Sequence, residues 1–291
     1  MTDRWHRWLL HARSGGDAAY QEKNLTEFLY PIRDTVLDNA RLQPGDTLLD
    51  VGTGDGLIAL GALDRLGPAG RVIFSDISRD LLDHCRATAK AEDMLGRCRF
   101  VVAAADDLAG IADATADVVT TRAVLIYVKN KAAAFREFHR VLKPAGRVSL
   151  FEPINALMAT DGPDRFSGYK VTPVATLAAR VRAVYETIQP PGIDPMLDFD
   201  ERDLVRHAQD AGFPEAQLEL RVSVKARKQP VPWERFTRTA GNPLIPTIEE
   251  ALHQALSPAE AADFTSHLRP LVESGAGLER RAHAYLTAAK D

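Results

Sequence analysis

The segment Leu48-Leu49-Asp50-Val51-Gly52-Thr53-Gly54-Asp55-Gly56 holds the residues whose types and spacing speak most directly of chemistry. Glycines at alternate positions let a backbone turn sharply and come within contact distance of a ligand, where a Cβ would obstruct it. A nucleotide-like ligand is implied. In the G-x-G-x-x-G fingerprint of dinucleotide sites the third glycine would fall at position 57, which is Leu57, so a nicotinamide dinucleotide fits poorly. Asp76 lies 20 residues beyond Gly56, after the next strand-like run, where a carboxylate can accept both hydroxyl protons of a ribose. A helix N-terminal charge beside Ser78 is the plainer alternative for it. Glu152 follows the apolar run Val148-Ser149-Leu150-Phe151 and must find a partner or solvent. It is a candidate substrate-orienting group or general base, or else half of a structural ion pair with Arg122 on the neighbouring strand.

These residues need elements to position them. From Asp46 onward, short β-rich runs alternate with helical segments, the pattern of βαβ units and a parallel sheet. The strands read as Asp46–Val51, Arg71–Ser75, Cys98–Ala103, Asp117–Arg122 and Gly146–Glu152. Between them, Leu57–Leu66, Ser78–Glu92 and Lys131–Leu142 carry apolar residues at helical spacing, with Ser78 as an N-cap and Pro144 just past the last end. A capped helix Asp200–Ala211 and a sixth strand Ala216–Lys225 resume the pattern, and Arg281–Ala289 makes a short final strand. Before the sheet, residues 1–40 read as two helical stretches parted by the breaker Ser14-Gly15-Gly16-Asp17, the second with an apolar stripe from Leu25 to Leu37. The resulting division is a helical cap (1–44), a ligand-binding core (45–152), an insertion (153–199), a core continuation (200–229), a second insertion (230–278) holding a helix Pro258–Val272 capped by Ser257, and a final strand (279–291).

The D-x-G-x-G-x-G spacing from Asp50 to Gly56, Asp76 after the second strand, and the Arg140-Val141-Leu142-Lys143-Pro144-Ala145-Gly146-Arg147 link together resemble the class I S-adenosylmethionine-dependent methyltransferases. The likeness covers Asp46–Glu152 well and 200–225 more weakly. It implies an α/β, Rossmann-like fold: a mostly parallel seven-stranded sheet with helices on both faces, here with helical lid insertions. It further implies S-adenosylmethionine as methyl donor and S-adenosylhomocysteine as product; with two cysteines the sequence carries no metal signature, so no metal is expected. By similarity, Asp76 would hold the ribose, Asp50 would anchor the loop and reach the methionine amino group, and Ile77 would cover the adenine. Gly52, Gly54, Asp55 and Gly56 would form the loop around the donor, with Arg122 beside it. Residues Ala103-Ala104-Ala105-Asp106-Asp107-Leu108 stand where the family has its adenine-edge run. Ala104 replaces the family's acid there, so Ala105 with Asp106 or Asp107 would supply the contact. Tyr20, Tyr30 and Arg33 would close over the methionine end or merely pack on the surface.

The acceptor is expected beyond the carboxyl ends of strands four and five, near Arg122 and Asn155. Aromatics in the two insertions, among them Phe166, Tyr169 and Trp233, suit an apolar or aromatic small molecule if they line its pocket and are ordinary core if they do not. Arg165 and Lys170 would recognise an anionic group or simply be solvated. A small-molecule acceptor of bacterial specialised metabolism is the leading expectation. A peptide or protein acceptor and a non-catalytic donor-binding regulator are the rivals. The net charge of −4 removes the basic field that nucleic-acid binding needs, and the apolar runs are too short for a membrane span. Cys85 and Cys98 fit reduced thiols, which with the charged N-terminus makes the cytoplasm the default address. Trp5, Trp8 and Leu9 would dock on the core or cover an interface in a homo-oligomer.

Overall fold

A computed structural model describes residues 3–13, 15, 17–158, 162–227 and 229–291. Its main sheet comprises β1 (Thr47–Val51), β2 (Arg71–Asp76), β3 (Cys98–Val102), β4 (Ala116–Arg122), β5 (Leu142–Pro153), β6 (Glu215–Ala226) and β7 (Leu278–Ala289). The spatial order is β3-β2-β1-β4-β5-β7-β6, a seven-stranded Rossmann-like sheet, as expected. Strands β1 to β5 pair in parallel, and β7 runs antiparallel between β5 and β6. The order reverses at β1, between β2 and β4, so the carboxyl ends around β1 form the crevice where such sheets bind ligands.

Apolar clusters cover both faces of this sheet. On one, Ile32, Val36, Ile58, Leu63, Phe74 and Leu82 join the helices Tyr30–Asn39, Leu57–Arg65 and Arg79–Ala91 to β1 and β2. On the other, Phe135, Phe138, Leu204 and Ala208 bring Lys131–Val141 and Glu201–Asp210 against β4 and β5. The caps read from sequence form: Ser78 Oγ accepts from Leu81 N–H (3.1 Å), and Asp200 and Ser257 each make a capping box.

A third cluster is separate from the sheet. It joins the two insertions through Phe166, Tyr169, Val181, Trp233, Leu252, Phe264 and Leu268. The first insertion also contains a 14-residue helix, Ala175–Ile188, after a small hairpin of Arg165–Phe166 with Tyr169–Lys170. Tyr169 is 0% exposed and Trp233 only 9%, so both belong to this core rather than to a pocket wall.

Other differences have local causes. β5 begins at Leu142, with a register irregularity between Ala116 and Val118, because the helix gives way directly to strand pairing rather than to a loop. β7 begins at Leu278 and pairs along its whole length with β6, which pulls three more residues into the strand than the alanine-rich end suggested. The breaker's Ser14 and Gly16 lie outside the described residues. After it, helix runs from Ala18 to Asn39 with a widened π turn at Leu25–Leu29. Pro31 explains the widening: it has no N–H for the preceding turn, and the Tyr30 N–H instead reaches back to the Leu25 carbonyl. The N-terminal tryptophans dock on the molecule itself: Trp5 meets Tyr127 edge-on at 4.8 Å, and the Trp8 Nε1–H donates to Ala240 O (3.1 Å).

Ala145 occupies the left-handed region (φ 59°) in the link before the straight part of β5. A residue with a Cβ is strained there by about 1–2 kcal/mol, part of which a glycine gives back as unfolded-chain entropy. Ala145→Gly is therefore expected to raise stability by up to about 1 kcal/mol in urea unfolding. An unchanged or lower midpoint would show that the link tolerates the alanine without strain.

Candidate active site

Glycine is required where the loop turns. Gly52 and Gly54 take φ values of 64° and 57°, and a Cβ on Gly52 would lie 2.3 Å from Val124 Cγ2. Gly56 (φ 84°) starts the helix Leu57–Arg65 and lies against Leu60 and Cys85, beneath the loop. Asp76, at the end of β2, ties the loop down. Its Oδ2 accepts from Gly54 N–H (2.9 Å) and its Oδ1 from Ser78 N–H (2.8 Å). A carboxylate has about four lone-pair sites, so each oxygen keeps room for a further donor. Burial pushes the Asp76 pKa above the usual carboxylate range, against the pull of those N–H groups.

Asp50 is buried at the end of β1. Its Oδ1 accepts from Thr120 Oγ1 (2.9 Å), while Oδ2 is buried with no partner among the described residues. Burial raises its pKa to about 6, with Thr53, Thr120 and Arg122 pulling the other way. An orphaned, ionisable oxygen in a dry site costs free energy unless a donor reaches it, so it marks where a ligand's cationic or N–H group belongs.

Strand β4 ends in a second strained turn. Ala123 is left-handed (φ 55°) with its N–H donating to Phe151 O (2.8 Å). The next three N–H groups converge on Glu152: Val124 and Leu125 donate to Oε1 (2.9 and 3.0 Å) and Ile126 to Oε2 (3.3 Å). Glu152 is 0% exposed and makes no ion pair with Arg122. The register explains this. Arg122 pairs with Phe151, so the next residue, Glu152, points to the opposite face of the sheet. The expected juxtaposition of Glu152 and Arg122 is thereby corrected: the carboxylate shapes a turn, and only the guanidinium reaches a cavity. Lys131 secures the far side of this turn, donating to Val128 O, Pro195 O and Asp198 Oδ1 (3.0, 3.0 and 2.6 Å).

Two cavities meet at that turn. The first, ≈470 Å³, runs over Gly52 and Gly54, past Asp76, Ile77, Ala105 and Asp106, and is roofed by Trp5 and Trp8. The second, ≈360 Å³, lies between β5 and the π turn and is walled by Leu25, Phe28, Phe151, Met158 and His283, with Asp55 at its edge. Leu9, Arg13, Arg122 and Ala123 line both. Burial and the neighbouring Arg122 lower the Arg13 pKa to about 10.

Several expected residues sit elsewhere. Tyr30 is exposed and stacks under the Arg33 guanidinium (4.5 Å), away from both cavities, because the widened turn carries it outward. Asp107 is exposed beside the Ala104 bridge, and Asp106 alone of that pair lines a cavity. Asn155 begins the short helix whose Met158 reaches the second cavity. The residues missed were Arg13, Trp5 and Trp8 as cavity walls and His283 on the last strand; the pair of tryptophans on the first helical stretch, Trp5 in the helix Arg4–Arg7 and Trp8 at the start of the helical turn Trp8–Ala12, was the available signal for the roof.

Glu152 has a pH signature. Burial raises its pKa from the usual carboxylate value of 4.5 to about 7 despite three backbone donors. A raised carboxylate pKa contributes stability below the unfolded value, and that contribution is lost as pH climbs through the folded value. Wild type is accordingly expected to lose stability relative to Glu152→Gln between pH 5 and pH 8 in denaturant melts. A gap that stays constant across this range would remove Glu152 as the titrating group.

Known proteins resemble this chain in sequence over part of its length and in fold. A family model described as a methyltransferase domain matches residues 49–150. A ubiquinone/menaquinone biosynthesis C-methyltransferase of Hydrogenovibrio crunogenus is 27% identical over 178 residues, covering 60% of this chain and 68% of that protein. The nocamycin O-methyltransferase of Saccharothrix syringae is 35% identical over 130 residues, 44% of this chain and 45% of that one. Among solved structures, phosphoethanolamine N-methyltransferase 2 of Haemonchus contortus, in complex with S-adenosyl-L-methionine, superposes with a TM-score of 0.52 at 16% identity. It covers 98% of this chain and 56% of its own.

Proposed function

The chain belongs to the class I S-adenosylmethionine-dependent methyltransferases, and from that premise we propose that it methylates an O, N or C nucleophile of a small, largely apolar molecule held in the second cavity. The observation that carries this reading is the shared wall of the two cavities. A donor along the glycine loop and an acceptor against Phe28 and Phe151 would face one another across Leu9, Arg122 and Ala123. The relatives named for quinone biosynthesis and for nocamycin support a small-molecule acceptor.

The residues fit the donor's parts. Asp76 has lone pairs left for two ribose hydroxyls, and the exposed Ile77 side chain covers an adenine seated against Ala105 and Asp106. The unpartnered Asp50 Oδ2 meets the ammonium of the methionine end, and Arg13 and Arg122 face its carboxylate. The bound donor supplies a sulfonium methyl that is already activated for in-line displacement. The protein's task is then alignment and exclusion of water, which the tryptophan roof and the π turn perform. Where the acceptor atom carries a proton, His283 takes it. Burial and the cations Arg221 and Arg281 lower its pKa, which favours the neutral imidazole that a base must be.

The test is release of S-adenosylhomocysteine when the purified chain is given S-adenosylmethionine and a panel of apolar phenols, amines and activated carbon acids. Turnover with at least one is expected. Asp76→Ala should weaken S-adenosylhomocysteine binding by roughly tenfold to a hundredfold, the scale of two hydrogen bonds to a charged group. Tight donor binding with no turnover on any acceptor, in a panel extended to peptides, would favour a binding protein instead.

A further inference from the structure

A third cavity, ≈510 Å³, adjoins the second at Arg13 and Tyr20, which line both. It lies between the two insertions, and Arg165, Arg182, Arg227 and Arg235 line it together with Arg13. Among its described lining residues there is no aspartate or glutamate. This is a concentration of positive charge against the trend of a chain with a net charge of −4. The partners the arginines have are mostly carbonyls or rings. Arg165 donates to Gly168 O (3.0 Å), Arg182 to Arg165 O and Pro163 O (2.5 and 3.2 Å), and Arg227 to Leu278 O (3.3 Å). Arg235 stacks on Tyr20 (4.0 Å) and forms a long ion pair with Asp17 (3.7 Å), which does not itself line the chamber. Carbonyls orient the Arg165, Arg182 and Arg227 guanidinium groups without neutralising them, so apart from the Arg235–Asp17 pair the chamber's positive charge is left for an anion to meet. Phe166, Val231, Phe236 and Ile245 furnish its apolar lining.

We propose that this chamber receives an oxyanion carried by the acceptor, a carboxylate or a phosphate group. The acceptor's apolar body then crosses the neck between Arg13 and Tyr20 into the second cavity. The inference rests on the methyltransferase reading and adds the chemical class of the substrate's far end. It also assigns a role to Arg165, which has none in the donor site. Lys170 is exposed on the other arm of the hairpin and does not join the chamber.

The experiment is calorimetric titration of the full chain, saturated with S-adenosylhomocysteine, against two probes: inorganic pyrophosphate and succinate. At least one should bind, and which one binds distinguishes a phosphate from a carboxylate. Arg182→Gln combined with Arg235→Gln should weaken that probe by at least about tenfold, since charge-assisted hydrogen bonds are lost. Neither residue lines the donor cavity, so S-adenosylhomocysteine affinity should be unchanged. Arg235→Gln alone guards against disturbance of the hairpin by the loss of Arg182, and Arg235→Lys should restore part of the affinity. Absence of binding by both probes to a chain that holds S-adenosylhomocysteine, or equal binding by the double variant, overturns the anion chamber alone. A chain that fails to take up S-adenosylhomocysteine overturns the reading beneath it.

Discussion

A carboxylate buried at the end of a strand must be met by donors or carry the full cost of its desolvation, and this constraint organises the carboxyl end of the sheet. Asp76 and Glu152 meet it with backbone N–H groups, and in doing so each fixes a turn. Asp76 joins the glycine loop to the start of the next helix through Gly54 and Ser78. Glu152 gathers the three N–H groups after Ala123. Asp50, between them on β1, meets it only halfway, because one oxygen has Thr120 and the other has nothing among the described residues. Glu152 therefore spends its oxygens on a turn, Asp76 fixes the loop with lone pairs to spare, and Asp50 keeps one oxygen without a partner among the described residues.

The turn after β4 follows from this arrangement. Held by Glu152 on one face of the sheet, it forces Ala123 into a left-handed conformation and places Val124 over Gly52, where a Cβ on the glycine would collide. Strain and close approach coincide where the two cavities meet, and such outliers persist only where surrounding structure over-determines them. The N-terminal helix Arg4–Arg7 and the helical turn Trp8–Ala12 that follows it complete the enclosure from outside. Asp3 receives a hydrogen bond from Ser78 Oγ and donates its own N–H to Asp80 (2.6 Å), which pins Trp5, Trp8 and Arg13 over the opening.

Much of the sheet was legible because its signals are local. The apolar runs of β1, β2 and β4 are buried on both faces, Ser78 and Asp200 cap as their spacing indicated, and D-x-G-x-G-x-G left little freedom for the loop. The orientation of Glu152 was not legible, since it depends on a one-residue register between β4 and β5 that no local pattern specifies. Nor was the fate of Tyr169 and Trp233. Their burial comes from the union of two insertions separated in sequence by the helix Glu201–Asp210 and β6, and an aromatic reads the same whether it faces a neighbour or a ligand. The displacement of Tyr30 required knowing that Pro31 would widen the turn before it. Arg13 stands next to a breaker in the sequence and gains its position from long-range docking: Asp3 on the helix Arg79–Ala91, Trp5 on Tyr127 and Trp8 on Ala240.

Diffraction from crystals grown with S-adenosylhomocysteine tests the central claim most directly. The account predicts ribose hydroxyls on Asp76, the amino group on Asp50, and the sulfur directed past Ala123 toward the cavity bounded by Phe28 and Phe151. A nucleoside bound away from Asp76, or a sulfur facing solvent with that second cavity behind it, would contradict it.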